Sequence, residues 1–193
     1  MAKVTSGLPH YENSKAAREN FEPLFLNQFE VLITPPAIVP GGEILTEHVK
    51  KIEGLPEITP TGFVEQYYKF AKRTYADARP EDTTAELTIE FEVNLDDANA
   101  MYVYNTLRTW ANLQYNPMTG GQGLKRDYAG ELSVLIHNKA LELYREFRFS
   151  PVYLIDGFNN MELEYLSNDI YILTAKFKAD MWKELRNEPN TTL

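Results

Sequence analysis

Side chains able to do chemistry are numerous in this 193-residue chain, but their spacing builds no reactive centre. The three histidines, His10, His48 and His137, fall in an arm, an early strand and a hairpin turn. None belongs to a His-x-x-x-His or His-Glu-x-x-His pair that would set two imidazoles on one helix face for a metal. Cysteine is absent, which excludes disulfides, thiol nucleophiles and thiolate metal sites together. Carboxylates are plentiful, and a paired acid and base is the one chemistry they leave open, yet Glu90 and Glu142 carry the local pattern of solvated strand residues. There is no Gly-x-Ser-x-Gly elbow. The stretch MTGGQGLKRDYAG after the central helix is glycine-rich like a phosphate cradle. It follows a helix instead of opening one, and it lacks the Gly-Lys-Ser or Gly-Lys-Thr ending that holds phosphate. These residues point away from an enzyme and call for no cofactor and no metal, so a scaffold role is expected.

Bulk properties narrow the classes further. A hydrophobic content of 44% over this length suits one domain with one sizeable core. With 28 acidic against 19 basic residues the formal charge is −9, and the chain as a whole repels a polyanion. The basic pairs Lys50-Lys51, Lys72-Arg73 and Lys125-Arg126 are scattered and form no dense tract for gripping nucleic acid. The opening MAKVTSGLPHYENSKAAREN has no apolar signal core, and no run approaches bilayer-spanning length, so a soluble, unprocessed protein without a membrane anchor is expected.

The elements that must position any site are organised around the stretch Asp96 to Asn116. Ala100, Val103, Tyr104, Leu107, Trp110 and Ala111 recur at three-and-four spacing, which predicts a helix over about residues 96-116 that buries Val103, Leu107 and Trp110 against a sheet. Asn94, Asp96 and Asp97 are its cap candidates, and Pro117, Gly120 and Gly121 end it. Around it the pattern is strand and loop. Residues 1-23 read as an N-terminal arm with a short helix over Asn13 to Asn20, and Phe21, Leu24 and Phe25 supply apolar anchors for packing on this domain or a neighbouring copy. Phe29, Val31 and Ile33 mark a first strand stopped at Pro35-Pro36. Ile44 to Glu53 and Phe63 to Ala71 are expected to be the second and third strands, paired as a hairpin across the break at Gly54-Leu55-Pro56. Lys72 to Thr84 reads as a long, charged, exposed loop. Glu86 to Val93 alternates most cleanly, with Leu87, Ile89, Phe91 and Val93 on one face and carboxylates on the other. Leu132, Val134 and Ile136 start a hairpin that turns at His137-Asn138-Lys139 and returns through Leu143, Phe147 and Phe149, with Arg145 among the apolar set. Val152 to Ile155, Met161 to Tyr165 and Tyr171 to Phe177 are the remaining extended pieces, the last running on to Trp182. The fold expected is mainly β, an antiparallel sandwich or barrel over residues 24-185 with one packed helix, followed by a tail at 186-193.

This order of elements resembles the tail tube protein of contractile-tailed bacteriophages. Leu26-Asn27-Gln28-Phe29-Glu30-Val31 is similar to that family's opening strand, and Glu53-Gly54-Leu55-Pro56 to its Leu-Pro kink. Arg145 to Tyr153 resembles its strand of alternating charged and apolar residues, and Asp169 to Trp182 its closing strand. The resemblance spans roughly residues 24 to 185, and the tube fold is shared with type VI secretion and other contractile injection systems.

The resemblance implies a structural virion protein of the inner tail tube: hexameric rings that self-assemble, stack, and form a conduit for genome ejection. About four strands from each of six subunits, spaced about 4.8 Å apart and tilted, give a circumference of about 115 to 160 Å and a lumen of roughly 25 to 40 Å. Duplex DNA, about 20 Å wide, fits such a lumen. An acidic wall would let it slide without adhering. Glu131, Glu142, Glu146 and Arg148 are the lumen-facing candidates, because they alternate with the apolar set of the late hairpin. Arg73, Tyr75, Asp77 and Arg79 are the candidates for contact with a neighbouring subunit or the next ring. The implied partners are further copies of the chain, a tail sheath protein, a baseplate or tube initiator, a tail terminator, and a tape measure protein and transiting DNA in the lumen. Tube-initiating and baseplate proteins, tail terminators, and protein-passing tubes of injection systems are alternatives in kind. A monomeric β-sandwich that binds sugars through the 12 tyrosines is the alternative of a different class.

Overall fold

The computed structural model of the chain describes residues 25–56, 63–76, 83–93, 102–158, 165 and 170–185. The arm at 1-23, the cap candidates at 94–97, most of the stretch from Met161 to Tyr165 and the tail at 186–193 lie outside the described residues.

Alternating sequence becomes strand wherever one face can be buried. The strands of the body are β1 (Phe29–Thr34), β2 (Val49–Glu53), β5 (Ala85–Glu92), β6 (Gly130–His137), β7 (Leu143–Ile155), β8 (Ile172–Ala179) and β9 (Trp182–Leu185). They form one antiparallel sheet in the order β1-β6-β7-β8-β5-β2, with β9 also paired to β7. Val152 lies opposite Ala179 and Phe149 opposite Trp182, so β8 and β9 run along β7 in one unslipped register. The interruption is small: Ser150 N–H donates to the Met181 carbonyl (3.0 Å) and Asp180 N–H to the Pro151 carbonyl (3.2 Å). The strand path ends at β1 and β2, and β9 likewise has a neighbour on one side only among the described residues.

The inward residues are those the alternation singles out. Val31, Ile33, Leu87, Ile89, Phe91, Leu132, Val134, Phe147, Phe149, Leu173 and Phe177 are all buried. On β7 the inward set changes parity, from Phe149 to Val152 and Leu154, next to the place where the β6 register shifts between Gly130 and Leu132. Val152 to Ile155 is therefore a continuation of β7, not a separate piece as the sequence pattern implied.

Helix α2 (Tyr102–Gln114) covers this core. Val103, Leu107 and Trp110 are buried as the stripe predicts, joined by Thr106. Trp110 packs on Phe177 at 5.6 Å between ring centroids and donates its Nε1–H to the Tyr128 carbonyl at 2.7 Å, which satisfies its one polar atom. Gly130 lies beneath the indole, where a Cβ would sit 2.8 Å from the ring and 2.6 Å from the Thr34 carbonyl oxygen. Gln114 Nε2 ties the helix end to the Leu154 carbonyl at 3.1 Å.

Four expectations are corrected. Residues Gly42–Glu47 form a short helix, α1, instead of the start of the second strand. Helical geometry lets Leu45 enter the core and Thr46 Oγ1 accept the Ile33 N–H at 3.0 Å. β2 pairs with β5 and not with the third strand. The third strand, β3 (Phe63–Tyr68), pairs with β4 (Ala71–Ala76), so the front of the expected charged loop is strand. The glycine-rich stretch contains one helical turn, α3 (Lys125–Tyr128), whose Tyr128 carbonyl is the Trp110 acceptor.

Candidate assembly surfaces

The β3–β4 hairpin is a two-stranded sheet of its own, hydrogen-bonded to no strand of the body among the described residues. Its turn is Lys69-Phe70, and its register sets Val64 opposite Tyr75, Gln66 opposite Arg73 and Tyr67 opposite Lys72. Alternation then divides it into two faces. Phe63, Glu65, Tyr67, Lys72 and Thr74 share one. On it Glu65 accepts a hydrogen bond from Tyr67 Oη at 2.7 Å and a salt bridge from Lys72 Nζ at 2.5 Å, while Lys72 also lies 5.4 Å from the Tyr67 ring centre. The Lys72 ammonium, and then the Tyr67 hydroxyl, hold the Glu65 carboxyl below its usual range.

The opposite face carries Val64, Gln66, Tyr68, Arg73 and Tyr75. Tyr68 Oη donates to Gln66 Oε1 at 2.9 Å and lies 3.5 Å from Tyr75 Oη. That shared contact pushes Tyr68 up and Tyr75 down, and Arg73 adds to the lowering of Tyr75. Arg73 stacks 5.7 Å from the Tyr68 ring centre. Phe70 at the tip is 93% exposed, and Phe63, Val64, Tyr67, Tyr68 and Tyr75 are exposed as well. Two strands with both faces wet are marginal alone, and exposed aromatic surface is concentrated on this pair among the described residues.

Of the four contact candidates, Arg73 and Tyr75 are thus neighbours on one hairpin face, and Asp77 and Arg79 lie outside the described residues. Sequence reasoning did not name Phe63, Tyr67, Tyr68 and Phe70 among the contact candidates, although both alternating sets of the stretch carry rings, which was the available signal.

The lumen candidates divide differently. Glu146 and Arg148 lie on the outward face of β7 opposite Leu135 and Ser133, and they bond to each other at 2.5 Å. Glu131 is on the same face of β6, within 3.4 Å of the Ser150 hydroxyl that donates to it. Glu142 is not on the strand face: it closes the hairpin turn, where Asn138 Nδ2 donates to its carboxylate at 3.0 Å and Asn138 Oδ1 accepts its N–H at 2.9 Å. The parity count placed it with Glu146, but the strand starts only at Leu143.

Arg145, on the inward parity, keeps its charge at the sheet margin by donating to Glu184 at 2.8 Å and stacking 5.0 Å from the Phe147 ring centre. The other half of the outward surface is neutralised by cross-strand pairs, Lys178 with Glu86 at 2.9 Å and Lys51 with Glu90 at 3.4 Å. His48 caps α1 and bonds the Ile44 carbonyl at 2.9 Å, and His137 ends β6. Among the described residues no three His, Asp or Glu side chains gather as a metal site, and no helix is long and apolar enough to cross a membrane.

No protein-family model matches the chain, and no curated protein sequence does. Solved structures do match, and the fold is that of a contractile tail tube. A chain of the PVC extracellular contractile injection system, in its sheath–tube complex in the extended state, aligns with TM-score 0.51 at 15% identity over 85% of this chain and 92% of that one. The tube-terminating cap of the anti-feeding prophage aligns with TM-score 0.52 at 13% identity, over 85% and 91%. The sheath/tube terminator of the PVC system in the extended state gives TM-score 0.50 at 14% identity, over 84% and 96%.

Proposed function

We propose that this chain is a ring-forming subunit of the inner tube of a contractile tail, a structural and not a catalytic protein. Six copies close each ring, rings stack, and the channel conducts a phage genome from the virion into the host. The observation that carries the reading is the β3–β4 hairpin on a tail tube fold: an aromatic, charge-laced pair of strands that has no third strand or core of its own among the described residues; in this reading a neighbouring copy completes it. Arg73 and Tyr75, with Phe70 at the tip and Asp77 and Arg79 beyond β4, form that contact. If the hairpin seats on a different surface of the next copy, the contact is heterologous, and a heterologous contact propagates into rings and filaments. The edge strands β1 and β2 are then used for association.

The outward face with Glu131, Glu146 and Arg148 lines the lumen, and Glu142 stands at its rim. A sheath protein grips the outside. A baseplate or initiator nucleates the first ring, a terminator closes the last, and a tape measure protein and DNA occupy the channel. Purified protein examined by negative-stain microscopy, alone and with baseplate seeds, tests this. Hollow stacked rings are the expected result, and single domains that persist with seeds overturn it.

A second reading is favoured by the likeness to a cap and a terminator, and to injection-system chains in general. In it the subunit ends a tube, or belongs to a tube that passes protein. Copy number per particle separates a terminator from a tube subunit, and nucleic acid inside purified particles separates the cargoes.

A further inference from the structure

Both faces of the β3–β4 hairpin are exposed, but their chemistry differs in a way that decides which of them can be buried. On the Glu65 face the cation is already occupied. Lys72 Nζ bonds Glu65 at 2.5 Å, and Tyr67 donates its hydroxyl to the same carboxylate at 2.7 Å. Covering this face would strip water from an ion pair that makes no new partner in return, and desolvation of such a pair opposes association.

The opposite face is in the reverse condition. Arg73 is held 5.7 Å from the Tyr68 ring centre and meets no carboxylate among the described residues. The hydroxyls beside it already have partners, since Tyr68 Oη donates to Gln66 Oε1 at 2.9 Å and lies 3.5 Å from Tyr75 Oη. Val64, opposite Tyr75, adds exposed apolar surface. A guanidinium is weakly hydrated and takes a carboxylate through two parallel N–H bonds, and tyrosine and arginine are the side chains on which interface energy concentrates. Burial of this face therefore asks of its partner only an acid beside apolar surface.

We infer that this face, in which Val64, Gln66 and Tyr68 join Arg73 and Tyr75, seats on a carboxylate-bearing surface of a second copy of the chain, while the Glu65 face stays in water. Charge balance argues for the second copy. The chain has 28 acidic against 19 basic residues, and in the body Lys51, Lys125, Arg145, Lys176 and Lys178 each already meet a carboxylate, so the charge another copy has left over is acid. Phe70, at the turn, belongs to neither face and enters the contact end-on. The inference deepens the ring-forming reading and rests on it.

Hydroxyl-radical footprinting of the unaltered protein, read by mass spectrometry before and after seeded assembly, separates the faces. Tyr67, Tyr68 and Tyr75 are all exposed in the free subunit, so each reports, and Tyr67 and Tyr68 are sequence neighbours on opposite faces. On assembly the oxidation of Tyr68 and Tyr75 is expected to slow by about fivefold or more, with Tyr67 within about twofold of its free value. Protection of Tyr67 in their place overturns the choice of face, and equal protection of all three overturns the claim that one face stays wet. Rings in which none of the three is protected overturn the docking and leave the ring-forming reading standing. A subunit that stays single with baseplate seeds present rejects that reading and the docking with it.

A pair of adjacent charge removals tests the carboxylate. The concentration needed for assembly is expected to rise about tenfold or more for Arg73→Gln and to stay within about twofold for Lys72→Gln. Arg73→Lys is expected to recover only part of the loss, because an ammonium cannot make the paired bonds. Equal effects of Arg73→Gln and Lys72→Gln, or none from Arg73→Gln, overturn the pairing of Arg73 with an acid.

Discussion

Two sets of aromatic residues sit on antiparallel strands of this molecule and do opposite work. Phe91, Phe149 and Phe177, with Trp110 above them on α2, are fully buried within the body, whereas Phe63, Tyr67, Tyr68, Phe70 and Tyr75 of the β3–β4 hairpin are between 45% and 93% exposed. Residue type is nearly the same in both. What differs is the company kept: in body strands such as β5 the apolar residues keep to one parity and the polar to the other, so one face closes on a core, while in the hairpin both parities mix rings with polar or charged side chains and both faces are exposed. The body closes on a core of its own, and among the described residues the hairpin does not.

That contrast breaks hardest at Trp110. Replacing it by alanine removes the largest fully buried side chain, its contact with Phe177 and its hydrogen bond to Tyr128, and leaves a cavity over Gly130. A loss of about 3–5 kcal/mol is expected for Trp110→Ala in chemical unfolding, enough to remove much of a domain's stability and assembly with it. A smaller loss, of about 1–3 kcal/mol, is expected for Gly54→Ala. Gly54 has φ of +86°, and a Cβ there would sit 2.1 Å from the Glu86 carbonyl oxygen, so the kink that ends β2 beside β5 admits no side chain. Circular dichroism across a denaturant series measures both, and a Gly54→Ala protein as stable as the parent would mean that the kink relaxes without touching the sheet.

The hairpin should respond the other way. Tyr67→Ser with Phe70→Ser removes exposed rings and the solvent-facing contacts of Tyr67 with Glu65 and Lys72, so the unfolding free energy of the isolated subunit is expected to change by no more than about 0.5 kcal/mol. Rings or stacks should nevertheless fail under the microscope, and Arg73→Glu should weaken them too. Intact tubes from either variant would sever the hairpin from assembly. A body-like stability loss would mean its rings pack on the body.

The same contrast explains what could be read in advance. The β5 alternation and the α2 stripe are local patterns with one buried side, and Leu87, Ile89, Phe91, Val103, Leu107 and Trp110 declared it. The segment around Ile44-Leu45 did not, because six helical residues with one buried side chain look the same in sequence as the start of a strand. The hairpin turn at Lys69-Phe70 carries no glycine, asparagine or proline, so nothing punctuated it, and the run from Lys72 onward read as loop. The partner of β2 is a strand more than thirty residues on, which no local pattern specifies. Among the site candidates, the shared outward face of Glu131, Glu146 and Arg148 followed from parity. Glu142 did not, because the strand begins after it.

The smallest expected effect is also the most local. Glu65 is the only carboxylate that ties β3 to β4 among the described ion pairs, through Lys72, and its carboxyl is held low by that ammonium and by Tyr67. A depressed carboxyl contributes order that is fully present above its unfolded-chain value and is lost as pH falls through its folded value. Acidification below the usual carboxylate range should therefore loosen the Glu65 face of the hairpin, while the body, whose strands are held by buried apolar pairs, keeps its register. The Tyr67 ring resonances, followed by NMR through an acid titration, should move with the Glu65 carboxyl and not with unfolding. Glu65→Gln should show the acid-like Tyr67 position already at neutral pH. Tyr67 resonances indifferent to both changes would mean that backbone pairing alone orders the hairpin. The aromatic face would then hold its shape with no help from Glu65.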